Sequence, residues 1–167
     1  SFINGGDSQT NIAGGLLTIT ASGTYVRIDG STFVGTGYLG ETYARHPNQG
    51  TNNMIMEAGF IQGAFSNTLR IADDFPSITH WQRQNKTSTT SGDPWVNMAQ
   101  TSDQGWHTFR VYRESDGSAG FQIDNNTIET VSTDVPTLPM APFLMSFGSG
   151  DQFIVDWTRV RKWAGAE

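Results

Sequence analysis

The chain has 167 residues, a formal net charge of −6 and no cysteine. That length suits one domain with a single core, and the missing cysteines exclude disulfides, a thiolate nucleophile and thiolate metal ligands. The acidic balance argues against nucleic-acid binding, which needs a basic footprint. Only two lysines, Lys86 and Lys162, accompany the arginines, and charged residues make up 16%, below the usual quarter. Gly, Ser, Thr and Asn fill the difference, a balance common in exported microbial β-domains. No apolar run approaches the ~18 residues of a membrane-spanning helix. The chain begins at Ser1 without a signal peptide. It reads as an excised domain or processed form of a secreted or cell-surface protein, with further domains of the parent chain as partners.

In chain order, glycines and turn dipeptides break the sequence every ten or so residues, with alternating stretches between them, the pattern of a β-sandwich or barrel. Phe2–Ile3 is a short strand before the Asn4–Asp7 turn. Leu16–Thr20 and Thr24–Ile28, joined through Ser22-Gly23, predict a hairpin. Residues 32–45 are extended but interrupted by glycines. Asn53–Ile61 puts Met54, Met56, Ala58 and Phe60 on one face and Ile55, Glu57 and Ile61 on the other. Thr68–Ala72 follows, then Ser77–Gln84, where Trp81 and Arg83 share a face opposite His80 and Gln82. Lys86–Asp93 is a polar loop before the short strand Trp95–Ala99.

The last third is the most regular. Trp106–Tyr112 turns Phe109 and Val111 inward and Thr108, Arg110 and Tyr112 outward, and Gly120–Asp124 returns after the Ser115–Ser118 turn. Leu138–Pro142 is a connection. Phe143–Phe147 and Phe153–Trp163 are expected to pair through Gly148–Asp151. The closing segment is apolar on both faces at its start, so it should lie inside a sheet and be covered on both sides. Asp156 then sits in an apolar run and needs a partner or a cation to offset its desolvation. The whole chain, 1–167, reads as one all-β domain, an antiparallel sandwich.

Three segments carry a resemblance. Trp106-His107-Thr108-Phe109-Arg110-Val111, Phe121-Gln122-Ile123-Asp124-Asn125 and Ile154-Val155-Asp156-Trp157-Thr158-Arg159-Val160-Arg161 together resemble the concanavalin A-like (laminin G-like) jelly rolls, and residues 16–28 are similar to their opening hairpin. That superfamily includes legume-type lectins, laminarinase and agarase catalytic domains, and binding modules. The resemblance implies two stacked, curved sheets with a concave front where ligands usually bind. It also implies a structural Ca²⁺ held by a closing-strand aspartate, which Asp156 matches, with the Asn4–Asp7 turn or Asp29-Gly30 supplying further oxygens. The catalytic members carry Glu-x-Asp-x-x-Glu, which alternation gathers on one face for retaining hydrolysis. No such triplet occurs here. The five glutamates are 41, 57, 114, 129 and 167, and the strand that would be nearest, Met54–Gln62, carries Glu57 alone.

The expected function is therefore a non-catalytic, lectin-like carbohydrate-binding module for a polysaccharide, with no catalytic residues. Aromatic rings stack on sugar faces while polar and charged groups bond hydroxyls. The candidates are Trp81 with Arg83, Trp95 after the polar loop, Tyr43 and Arg45 with Glu41 on one strand face, Arg110 and Tyr112 on another, and Glu57 completing the groove. The plain reading beside each is a core or solvent-facing residue. One rival is a glycoside hydrolase or lyase in which Glu41 and Glu57 face each other with one pKa raised. Another is a structural or adhesive cell-surface domain. His46, His80 and His107 lack zinc-site spacing.

Overall fold

The computed structural model describes residues 2–5, 9–49, 54–73, 79–89 and 95–163, and all regular structure among them is β. One seven-stranded sheet runs β1 (Phe2–Gly5), β4 (Tyr25–Gly30), β13 (Ala141–Phe147), β6 (Ile55–Gln62), β7 (Asn67–Asp73), β8 (His80–Lys86), β9 (Trp95–Thr101). The other runs β12 (Glu129–Val131), β11 (Ala119–Ile123), β10 (His107–Arg113), β5 (Tyr38–Arg45), β14 (Gln152–Lys162), β3 (Leu16–Thr20), β2 (Gln9–Ala13). Every neighbouring pair is antiparallel. This is the sandwich the alternation predicts.

The core follows from period two. From the first sheet, Met56, Ala58 and Phe60, then Leu69 and Ile71, then Trp81 point inward. From the second sheet, Phe109, Val111, Phe121, Phe153 and Val155 meet them. Burying one such large side chain is worth about 2–3 kcal/mol before the entropy of ordering it.

Two expected hairpins are not hairpins. β3 and β4 lie in different sheets, and so do β13 and β14. A four-residue glycine-containing link is as able to cross between sheets as to reverse within one. Here the two crossings run side by side and satisfy each other's backbone. Gly150 N–H donates to Ala21 C=O at 2.8 Å, Ala21 N–H to Asp151 C=O at 3.0 Å, and Gly148 N–H to Thr24 C=O at 3.0 Å.

β14 lies inside its sheet, between β5 and β3, as expected, but its outer face is not covered. A bulge between Val155 and Trp157 inserts Asp156 as an extra residue. The insertion reverses which face later residues take. Phe153 and Val155 are core, whereas Trp157 is 36% exposed and pairs with Tyr43 on the outside. Asp156 is exposed rather than buried, so the desolvation that would have demanded a partner or cation does not arise.

Two buried charged groups hold the loops. Arg113 is 1% exposed and donates to the carbonyls of Val34, Pro136 (3.1 Å) and Leu138 (2.8 Å). Burial pulls its pKa down to about 10. His46, fully buried, bonds Asp73 through Nδ1 at 2.8 Å and Asp151 through Nε2 at 2.6 Å, and Ser146 Oγ donates to the far oxygen of Asp151 at 2.7 Å.

Candidate functional site

The outer face of the first sheet is built around Arg70. β7 reads Asn-Thr-Leu-Arg-Ile-Ala-Asp, so Leu69 and Ile71 turn into the core and Thr68 and Arg70 turn out. Opposite Arg70 on β6 stands Gly59. A Cβ there would meet the Leu69 carbonyl oxygen at 2.1 Å and Arg70 Cα at 2.7 Å, so only glycine permits this approach. The bare position lets the guanidinium reach diagonally to Glu57, whose carboxylate accepts from Arg70 Nη1. On the other side Gln84 lies directly across from Arg70 on β8. Gln84 Oε1 accepts from Arg70 Nε and from Thr68 Oγ1, both at 2.8 Å.

Two aromatic rings close on this polar floor. Trp95, from edge strand β9, stands 4.5 Å from the Arg70 guanidinium carbon, and Phe65, from the β6–β7 turn, stands 5.1 Å from it. Each contact is a cation–π interaction. Phe65 adopts φ 61°, a left-handed conformation that costs a non-glycine residue roughly 1–2 kcal/mol. It folds back over the sheet, edge-on to Phe143 and Tyr25 and 5.2 Å from Arg27. Ile61, Phe143, Met145, Phe65 and Phe147 form a small apolar cluster beside it. The rim is polar. Gln82 Nε2 donates to Asn97 Oδ1 at 2.7 Å, and Arg27 pairs with Asp29 at 2.8 Å.

Of the candidates named from sequence, Glu57 and Trp95 lie on this face. Trp81 does not. It is 0% exposed, edge-on to Phe109 at 4.9 Å and to His107 at 5.6 Å. Arg83 shares its inward face and bridges the sheets, pairing with Glu129 at 3.1 Å and lying 5.7 Å from the Phe121 ring. Alternation placed the two together correctly, but the outward residues of β8 are Gln82 and Gln84.

Tyr43, Arg45, Glu41, Arg110 and Tyr112 occupy the outer face of the second sheet, with the core between them and Glu57. They do not form one groove with it, and Glu41 cannot face Glu57. Glu41 is instead gripped by the Nε atoms of Arg110 (3.0 Å), Arg159 (2.7 Å) and Arg161 (3.0 Å). Burial alone would raise its pKa, but the three arginines outweigh burial and hold it down at about 2. Tyr43 is stacked between Trp106 (5.2 Å) and Trp157 (5.9 Å), with Arg45 5.4 Å beyond Trp106. Tyr112 is buried under Trp163 and donates to Gln122 Oε1 at 2.5 Å.

The motif histidine has a structural task. His107 Nδ1 bonds Asp124 Oδ2 at 2.8 Å, and the other Asp124 oxygen accepts from Thr108 N–H at 2.8 Å, which ties β10 to the turn after β11. Asp156 stands exposed on its bulge. No group of three or more His, Asp or Glu residues able to hold a metal occurs among the described residues. The Gly6–Asp7 part of the turn that was to supply oxygens lies outside them.

Sequence reasoning did not single out Arg70, Gln84 or Phe65. The available signal was Arg70 itself, a cation in the middle of the apolar alternation of β7. A charge there has to be compensated from neighbouring strands.

No protein-family model matches the chain, and no curated protein sequence is significantly similar to it. Solved structures are. A β-1,3-glucanase from Mycobacterium marinum superposes on 87% of this chain and 74% of its own, with a TM-score of 0.66 at 18% identity. The metal-free carbohydrate recognition domain of Emp46p covers 98% of this chain and 88% of its own, with a TM-score of 0.74 at 11% identity. A pseudo β-1,3-glucanase of Mycobacterium tuberculosis covers 88% and 75%, with a TM-score of 0.65 at 16% identity.

The fold is the concanavalin A-like jelly roll. On the described part of this jelly roll's first-sheet outer face the carboxylates are Glu57 and Asp29, each held by its own arginine. Their side chains turn to different partners, Glu57 to Arg70 on the neighbouring strand β7 and Asp29 to Arg27 on its own strand.

Proposed function

We propose that this jelly roll is a non-catalytic carbohydrate-binding domain that holds a polysaccharide against the outer face of its first sheet. The observation that carries the reading is the clasp of Trp95 and Phe65 about Arg70, set in a floor of Glu57, Gln84 and Thr68. The rings offer apolar surface for pyranose faces. Gln82, Asn97 and Arg27 offer hydrogen-bond donors and acceptors at the rim. The clasp holds these groups in place before any ligand arrives, which lowers the entropic cost of binding. Glu57 and Asp29, the carboxylates on the described part of this face, are each tied to an arginine, which supports binding over hydrolysis. The low-charge composition, rich in Gly, Ser, Thr and Asn, fits a protein that works outside the cell, where polysaccharides are met.

Affinity electrophoresis through gels containing a panel of neutral and acidic polysaccharides tests the reading. Retardation by at least one of them, with no reducing ends released on long incubation, is the expected result. Unretarded migration through every gel, or steady release of reducing ends, would overturn it.

A further inference from the structure

The outer face of the second sheet carries a different chemistry, and nothing in the glycan reading of the first sheet uses it. Three guanidinium groups converge on Glu41, which leaves a surplus of two positive charges around one carboxylate. This occurs in a protein whose net charge is −6. Arg110 is further engaged, since its Nη1 also bonds Gln122 and the Asp124 carbonyl. Arg159 and Arg161 are not. Each gives only its Nε to Glu41, and their side chains are 58% and 49% exposed. Their terminal amino groups make no other hydrogen bond among the described residues. Arg159 and Arg161 share one face of β14 by period two, and their Nε atoms meet at the same Glu41 oxygen.

The two forks are fixed in place. Glu41 is 2% exposed and anchors both from below. Arg159 also lies 4.9 Å from the Trp157 ring, which is stacked on Tyr43. An arginine held by Nε presents its two terminal amino groups as a planar pair, which matches a carboxylate or sulfate oxygen pair. Trp157 sits beside that pair with part of its ring in solvent. Of the neighbouring acids, Glu114 is engaged by the Trp163 indole N–H at 2.9 Å.

We propose that Arg159, Arg161 and Trp157 form a second binding site, on the face opposite Arg70, for an acidic polysaccharide carrying uronate or sulfate groups. Two forks and one indole suit anionic groups repeated along a sugar chain, with the indole against the ring carbons. A polyphosphate chain lacks the ring carbons that the indole would cover.

The test is calorimetric titration of polygalacturonate, with laminarin as the neutral comparison and anionic phospholipid vesicles as the membrane comparison. It uses the wild type and Arg159→Ala/Arg161→Ala, a change on an exposed face. Circular dichroism and the thermal midpoint confirm that the variant is folded. Wild-type binding to polygalacturonate should weaken at about 0.5 M salt, and the double variant should lose at least ten-fold in affinity. Trp157→Phe, which keeps a ring, should retain most of it. No binding to polygalacturonate at low salt would overturn the proposal. So would equal binding by the folded double variant, binding to vesicles alone, or a charge-dependent dimer in place of glycan binding. The outcome is separable from that of the first sheet, which Arg159 and Arg161 do not touch.

Discussion

The ring of Trp95 lies 4.5 Å from the guanidinium of Arg70, although the two residues come from strands two places apart, β9 at the sheet edge and β7 inside it. The contact links the edge strand to the buried ion pair of Glu57 and Arg70. Edge strands are the least secured part of a sheet, and here the binding reading depends on one of them.

Removing the carboxylate of that pair should be costly. Glu57 and Arg70 are both about 4% exposed. Glu57→Gln removes a counter-charge from beside a buried cation and should lower stability by roughly 3 kcal/mol. Replacing both partners by apolar residues of similar volume should cost less than the single change. Urea denaturation of the three proteins measures this. A single variant within 1 kcal/mol of wild type would show that the pair is not desolvated.

Parts of this architecture were legible in the sequence. Phe109 and Val111 inward with Arg110 outward, and Met56, Ala58 and Phe60 together, follow from alternation and are found so. The His107 strand and the Asp124 turn were marked by their motif. What failed was polarity and connection. Trp81 and Gln82 alternate whichever of them faces the core, and alternation alone cannot choose when both faces hold polar and large groups. One extra residue at Asp156 reversed the faces of Trp157, Arg159 and Arg161, which period two could not reveal. The links at 21–24 and 148–151 have the composition of hairpin turns, and only the packing of two sheets made them crossings.

The buried His46 cluster sets an alkaline limit on stability. Burial, the largest effect on His46, pulls its pKa down. The bonds to Asp151 and Asp73, with their charges, overcome it and raise the pKa to about 9. Asp73 is raised as well, chiefly by burial. A group whose pKa is higher folded than unfolded stabilises fully below its unfolded value and loses that contribution as pH rises through the folded one. Stability should therefore fall between about pH 6.5 and 9, by roughly 3 kcal/mol. Thermal midpoints across that range check it. His46→Gln should be less stable at neutral pH and show a smaller fall over the window, the remainder coming from His107, whose bonds to Asp124 and Asp103 outweigh its burial and raise its pKa. A wild-type midpoint that does not fall would contradict the assignment.

Glu41 sets the acid limit by the opposite sign. Its folded pKa, about 2, lies below the ordinary 4.5. Its contribution is present above 4.5 and disappears as pH falls toward 2. Arg159 and Arg161 are half exposed, so water screens their pull and the contribution is about 2 kcal/mol. Glu41→Gln should remove that amount at neutral pH and blunt the loss below pH 4.5. Equal acid sensitivity in both proteins would contradict it.

Asp156 should be expendable. Exposed on a bulge, it has no buried charge to compensate. Asp156→Asn should change stability by no more than about 0.5 kcal/mol, and added calcium should shift the midpoints of variant and wild type equally. A calcium-dependent stabilisation present only in the wild type would restore the metal site.

The most direct test of the glycan-binding face is Trp95→Ala, titrated calorimetrically with whichever polysaccharide retards the wild type. Trp95 is on an edge strand and only partly buried, so the variant should stay folded. Losing the ring from the clasp should reduce affinity about ten-fold or more, equivalent to at least 1.4 kcal/mol. A folded Trp95→Ala protein that binds the same polysaccharide with unchanged affinity would contradict the placement of the site on the first sheet.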